Sequence, residues 1–212
     1  MSLPFSRDAF LDVFAAYNAA LWPAVVTLWL VTAGAVGPWM RLGRPSGRVL
    51  MALLAVHWIW SGVAYHWLFF SRLNPAALVF GALFTLQGLL FGVLAALAQA
   101  RFGLARNARG VLGGVFVIYA LAYPAIGIAA GLRYPRVPLF AVPCPTTLLT
   151  AGWLINATGV PRVVRIIPAL WAVIGSTAAI ALGIRADWAL VAAAVALVID
   201  GVAPQALGAR ER

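Results

Sequence analysis

The chain has no lysine, one cysteine (Cys144), two histidines (His57 and His66) and only five acidic residues in 212 positions. Each shortage closes off a class of chemistry. Without lysine, retinal cannot be held as a covalent Schiff base, which removes the rhodopsin comparison that a seven-helix chain would otherwise invite. A single cysteine rules out a disulfide within the chain and a multi-cysteine metal site. On one helix His57 and His66 would stand about 13 Å apart along the axis, so one haem cannot take both as axial ligands. A structural zinc site needs four protein ligands and a catalytic one three. No cofactor is expected.

What the chain has in abundance is apolar surface: 64% of its residues are hydrophobic and 9% charged, where a soluble domain carries about 25% charged residues. A bilayer core about 30 Å thick takes roughly 20 apolar residues per helix. Seven apolar runs can be read: Leu21 to Met40, Val49 to Phe70, Pro75 to Ala98, Val111 to Leu132, Cys144 to Ala157, Ile166 to Leu182 and Trp188 to Ala203. The expected fold is an all-α integral membrane bundle of about seven transmembrane helices, forming a single membrane domain over residues 21–204. The fifth run is short, rich in Thr and preceded by prolines, so it is expected to be tilted, broken or buried within the bundle.

Arg7 is followed by Asp8 and Asp12 rather than by a basic leader, so the first run is kept as a helix of the protein. Ahead of it Phe10, Val13, Phe14 and Tyr17 recur at helical spacing opposite the charged residues. That pattern predicts an interfacial amphipathic helix over residues 1–20.

All fifteen basic residues are arginine and the formal net charge is +10. In a soluble chain this would point to nucleic acid. Here the arginines occupy the connections between apolar runs, where they orient helices, and no nucleic-acid partner is expected. With the N-terminus outside, Arg41, Arg44, Arg48, Arg101, Arg106, Arg109, Arg162, Arg165, Arg210 and Arg212 fall inside, and Arg7, Arg72, Arg133, Arg136 and Arg185 outside. The expected orientation is therefore N-out and C-in across a bacterial inner membrane, with residues 205–212 as a short cytoplasmic tail. Asp8, Asp12 and Asp187 come out on the outer side. Asp200 lies near the inner end of the last run, where it is expected to reach interfacial water.

In lipid a polar side chain must find a partner or line water, so intramembrane polar residues are the first functional candidates. The second run carries most of them. His57 falls near the midplane and shares a helix face with Ser61 and Tyr65 at spacings of four. His66 follows beside Trp67, Phe69 and Phe70, with Asn74 in the next turn. A bundle-facing imidazole bonded to a neighbouring helix is the structural alternative for His57, and an aromatic belt is the alternative for His66. Other candidates are Gln87, Tyr119, Tyr123, Thr146 and Thr147, with interhelical hydrogen bonds as the plainer account of each.

A second constellation is Pro143-Cys144-Pro145-Thr146-Thr147. Pro145 suits the first turn of a helix, which puts Cys144 at the N-terminus, where the helix dipole favours a thiolate. The Pro-Cys-Pro run is similar to the metal-binding cysteine motif of heavy-metal pumping ATPases, without the large soluble domains those pumps carry. The plainer reading is a small buried hydrophobe beside a proline break. If Cys144 met His66, the two would make a nucleophile and base or a two-coordinate soft-metal site.

Several stretches resemble a family of small bacterial multi-span membrane proteins catalogued as a domain of unknown function. They are Leu3-Pro4-Phe5-Ser6, Phe14-Ala15-Ala16-Tyr17-Asn18, Tyr65-His66 through Asn74-Pro75-Ala76-Ala77 to Gln87-Gly88, Tyr123-Pro124, Pro143 to Thr147, and Trp171 to Gly183. The resemblance covers nearly the whole chain. It implies a multi-helix membrane architecture and carries no activity with it.

The leading functional expectation is a small-solute or ion permease or channel whose polar cavity opens outward. His57, Tyr65, Gln87 and Tyr119 would line its midplane, and His66, Asn74 and Cys144 its mouth, with Tyr123, Thr146 and Thr147 close by. Two alternatives stand beside it: an intramembrane enzyme using Cys144 and His66, and a sensory or binding protein for an apolar ligand or soft metal. No recognised catalytic motif is present, so the reading leans away from an enzyme. The expected partners are the lipid bilayer and a small solute or ion.

Overall fold

The computed structural model describes residues 4–42, 46–104 and 106–202. Arg44, Arg210, Arg212 and the tail 205–212 lie outside the described residues. The protein is all-helical apart from one two-residue strand pair, with helices α1 (Arg7–Leu42), α2 (Gly47–Trp60), α3 (Ala77–Leu97), α4 (Ala108–Ala129), α5 (Pro143–Leu154), α6 (Ile166–Leu182) and α7 (Ala189–Val202). Five stretches are long and apolar enough to cross a membrane: α1, α2 with its extension to Arg72, α3, α4, and α6 with the turn before it.

The interior is apolar, and so is much of the surface. Leu30, Val79, Leu89, Val115, Ile180, Val195 and Ile199 face outward, each roughly half exposed or more, whereas Asn18, Thr32, His57, Ser61, Gln87, Thr147 and Thr150 are fully enclosed. Such a surface is compatible with lipid as the solvent, because apolar contact there costs nothing and unpaired polar groups cost several kcal/mol.

Helix α5 explains the short fifth run. Every one of its residues except Cys144 is buried, and it packs against α4, α7, α6 and α2. Twelve residues rise only about 18 Å, too little for a lipid-facing span, but a helix walled in by protein need not match the bilayer thickness. Its packing on α4 is backbone to backbone. A Cβ on Gly113 would lie 2.7 Å from the Gly152 carbonyl oxygen, and one on Gly152 2.6 Å from the Gly113 carbonyl oxygen. Small residues permit this close approach.

Residues 7–20, expected as a separate surface element, are continuous with the first long helix, which runs unbroken from Arg7 to Leu42 with Pro23 and Pro38 inside it. The periodic residues do form one face, and that face is turned inward: Leu11, Val13, Phe14 and Tyr17 are buried. Amphipathicity here reports packing against the bundle rather than against the membrane surface.

The helices alternate in direction, which gathers two ends. At the N-terminal end, Asn18 Nδ2 donates to the Pro135 and Val137 carbonyls at 2.7 and 2.8 Å, fixing the α4–α5 loop onto α1. At the opposite end, strands β1 (Arg101–Phe102) and β2 (Ala157–Thr158) pair antiparallel.

Candidate functional site

The second helix does not stay α-helical. After Trp60 it widens into a π-helical segment, Ser61–Trp67, closed by the Leu68 amide donating to the Val63 carbonyl at 3.2 Å. Such i→i+5 turns recur at functional sites. This one turns Tyr65 and His66 to positions that a regular helix would not give them.

Beside it lies a cavity of about 160 Å³ at the N-terminal end, bounded by the residues before and within the start of α1, the π-segment, α4, the first turn of α5, and α6. Eight aromatic side chains wall it: Phe5, Phe10, Phe14, Tyr65, Phe70, Phe80, Tyr123 and Trp171. They also hold one another, with Phe14 stacked on Tyr65 at 5.4 Å and Phe5 edge-on to Phe70 at 5.7 Å between centroids. The volume is close to that of an engineered apolar cavity of roughly 150 Å³ that binds benzene.

Three of the polar lining groups, Tyr123, Cys144 and Asp187, meet one another. Tyr123 from α4 donates its hydroxyl proton to Asp187 Oδ1, and the Cys144 thiol from α5 hydrogen-bonds the same carboxylate. Asp187 sits in the short turn Arg185–Trp188 between α6 and α7 and is 4% exposed. Tyr119, one turn before Tyr123, donates to the Ala186 carbonyl at 2.8 Å and so holds that turn in place. Burial pushes the Asp187 carboxyl up to about 6, although the hydrogen bonds from Tyr123 and Cys144 act in the opposite direction. Among the described residues no cation pairs with Asp187, and no basic residue lines the cavity.

The sequence-predicted candidates divide between this pocket and the packed interior. Tyr65, Asn74, Tyr123 and Cys144 line the pocket. His57 is tied to α1, its Nε2 2.9 Å from Thr32 Oγ1, while the Thr32 hydroxyl donates to the Leu28 carbonyl at 2.8 Å. That geometry puts the proton on Nε2, with Phe140 edge-on to the ring at 4.8 Å. Ser61 pairs with Thr146 at 3.2 Å and also donates to the Ala141 carbonyl. Thr147 donates to the Pro143 carbonyl at 2.9 Å, and Gln87 to the Val164 carbonyl at 3.0 Å.

His66 is fully buried, and both its ring nitrogens lack a hydrogen-bond partner. Its ring is packed against Tyr65, Phe70, Phe80, Phe84 and Trp171 at centroid distances of 4.8 to 6.0 Å. Cys144 meets Asp187 rather than His66, and Trp171 lies against both. Among the described residues no three His, Cys, Asp or Glu side chains gather as a metal site.

Sequence reasoning counted Asp187 only as an orienting charge and passed over Trp171 and the phenylalanine wall. A signal for Asp187 was present: a chain with five acidic residues places none of them casually, and only Asp187 and Asp200 follow an apolar run or lie in one. The expectation for Asp200 is corrected. It does not reach interfacial water; its side chain is 6% exposed and is held by both Arg109 and Arg165. Arg165 is itself buried and also donates to the Leu154 carbonyl at 3.2 Å, so it neutralises the carboxylate and caps the end of α5 together.

No curated protein and no solved structure matches the chain. The sequence profile of a family of unknown function, DUF6064, spans residues 7–205, and the chain belongs to that family.

Proposed function

We propose that this DUF6064 member is an integral membrane protein of seven crossing helices, N-terminus outside, that binds a small molecule with an apolar body in the pocket at its outer end. The observation that carries the reading is the pocket itself. Eight aromatic side chains line a space of about 160 Å³, and three of its hydrogen-bonding groups, Tyr123, Cys144 and Asp187, bond one another in its wall. A largely apolar cavity with a few convergent polar groups is the usual form of a small-molecule site.

Two other uses are less well supported. Permeation asks for a continuous polar route, yet His57 is bonded to Thr32, Ser61 to Thr146, and Trp58 to Thr150, which closes the mid-bundle polar groups on one another. Thiol catalysis asks for a base beside the nucleophile. The base expected for it, the His66 imidazole, is packed among aromatic rings away from the thiol, and Cys144 meets the Asp187 carboxylate instead.

The test uses the full chain in nanodiscs, titrated calorimetrically with benzyl alcohol, beside an Ala178→Phe variant that fills the pocket from α6. Saturable binding in the wild type, lost in the variant, is expected. Equal binding by both proteins would remove the pocket as the site.

A further inference from the structure

The pocket pairs an aromatic lining with a buried carboxylate that no cation among the described residues neutralises. We propose that its ligand is an organic amine, bound as the ammonium ion, with the charged nitrogen against Asp187 and the apolar body among the aromatic rings. The inference rests on the reading of the pocket as a small-molecule site and names the class of molecule that site takes.

Three observations converge on it. First, Asp187 is 4% exposed, and its hydrogen-bond partners, Tyr123 and Cys144, are neutral donors. A carboxylate out of water and without a cation is costly, and an ammonium ion would offset that cost. Second, eight of the lining side chains are aromatic, and an aromatic ring approached over its face attracts a cation through its quadrupole by about 0.5 to 2 kcal/mol. Phe70, Phe80 and Trp171 contribute from three different elements. Third, the alternatives fit worse. A metal ion would find only Cys144 and Asp187, and an anion would meet a carboxylate with no arginine in the lining. Arg136 is at the same end but is occupied by Asp8 and Asp12 and does not line the pocket.

Burial raises the Asp187 carboxyl to about 6, so an approaching cation also holds it ionised. The titratable groups facing it are Tyr123 and Tyr119 from α4, Cys144 from α5 and, across the pocket, Tyr65 from the π-segment. None of them carries a positive charge, so amine affinity should fall as pH drops through 6.

Three molecules of one shape separate the outcomes: phenethylamine, phenethyl alcohol and phenylacetate, titrated into full-length protein in nanodiscs of neutral lipid at pH 7.5. The expected order is amine first, alcohol about tenfold weaker or more, and no binding of the carboxylate. Alcohol binding as tightly as the amine would overturn the counter-ion role while leaving the pocket as a site. Failure of all three at millimolar concentration would overturn both. In Asp187→Asn the amine's advantage should vanish while alcohol affinity persists; an advantage that survives in this variant would overturn the proposal. The wild-type comparison needs no variant to fold.

Discussion

The last two helices carry two buried carboxylates, one at each end of the bundle, and the protein treats them in opposite ways. Asp200 in α7 is gripped by Arg109 and Arg165, and Arg165 also donates to the carbonyls of Leu154, Val160 and Pro161. Asp187, in the turn before α7, has Tyr123 and Cys144 as its donors among the described residues and lines the aromatic pocket. The first arrangement is complete within the chain. The second leaves its charge without a cation among the described residues. A buried charge that the fold satisfies is architecture, whereas one left unpaired beside a cavity marks a binding site.

The largest effect should come from breaking the complete arrangement. Asp200→Asn leaves Arg165, 5% exposed, without its counter-charge, and removing one partner of a buried pair typically costs about 3 to 5 kcal/mol. The measurement is the thermal midpoint of the detergent-solubilised protein. A combined Asp200→Leu, Arg165→Met variant should recover much of the loss, since an apolar replacement of a buried pair can be near neutral. A double variant as unstable as Asp200→Asn would show instead that the Arg165 bonds to the end of α5 matter more than the ion pair.

The same substitution at the other end should have the opposite sign. Burial holds the Asp187 carboxyl at about 6 in the folded protein, well above the ordinary carboxylate range. The folded protein thus holds this proton more tightly than the unfolded chain, and stability falls as pH rises from about 4 through 6. Asp187→Asn removes that penalty, so at pH 7 the variant should be the more stable of the two, with a thermal midpoint above that of the wild type. Below pH 4 the difference should disappear. A variant less stable than wild type at pH 7 would mean that Asp187 is structural, and the contrast with Asp200 would collapse. A gain in stability with loss of amine binding is the usual trade at a functional site.

The sequence reveals the helices far better than the site, and the reason is physical. Hydrophobic runs report the solvent, so α2, α3, α4 and α6 are visible with boundaries close to those observed. The oddity of α5 is visible too, because its prolines and threonines stand out against apolar neighbours. What a run cannot report is which of its faces is buried. Val13, Phe14 and Tyr17 read as a surface stripe and prove to be buried. The polar candidates were legible one by one, but not their partners: pairing His57 with Thr32 and Tyr123 with Asp187 depends on contacts between helices 25 and 64 positions apart in the chain. Asp187 was hidden because a loop acid normally sits in water, and only the folded turn, held by Tyr119, carries it inside.

A smaller effect should sharpen the contrast from within the pocket. Tyr123→Phe removes the hydroxyl that donates to Asp187 and that helps to lower its proton affinity. The carboxyl should then titrate above 6, moving the pH midpoint of amine binding upward, while stability at pH 7 drops by about 1 kcal/mol for the lost hydrogen bond. A midpoint that stays in place would mean that Cys144 alone sets the acidity.

The smallest effect should come from the acids that are neither enclosed nor beside the pocket. Asp8 and Asp12 reach Arg136 at 3.6 and 2.5 Å, with 79% and 56% of their side chains exposed and 45% of the arginine. Exposed pairs of this kind contribute about 0 to 1 kcal/mol and fade with salt. Arg136→Ala should therefore shift the thermal midpoint by little at low salt and by nothing measurable at 0.5 M sodium chloride. It should leave amine binding as it was, because the arginine does not line the cavity. A marked change in amine affinity would show that the charge at the rim governs entry, and that the distinction between the two buried carboxylates is only part of how this end of the bundle selects its ligand.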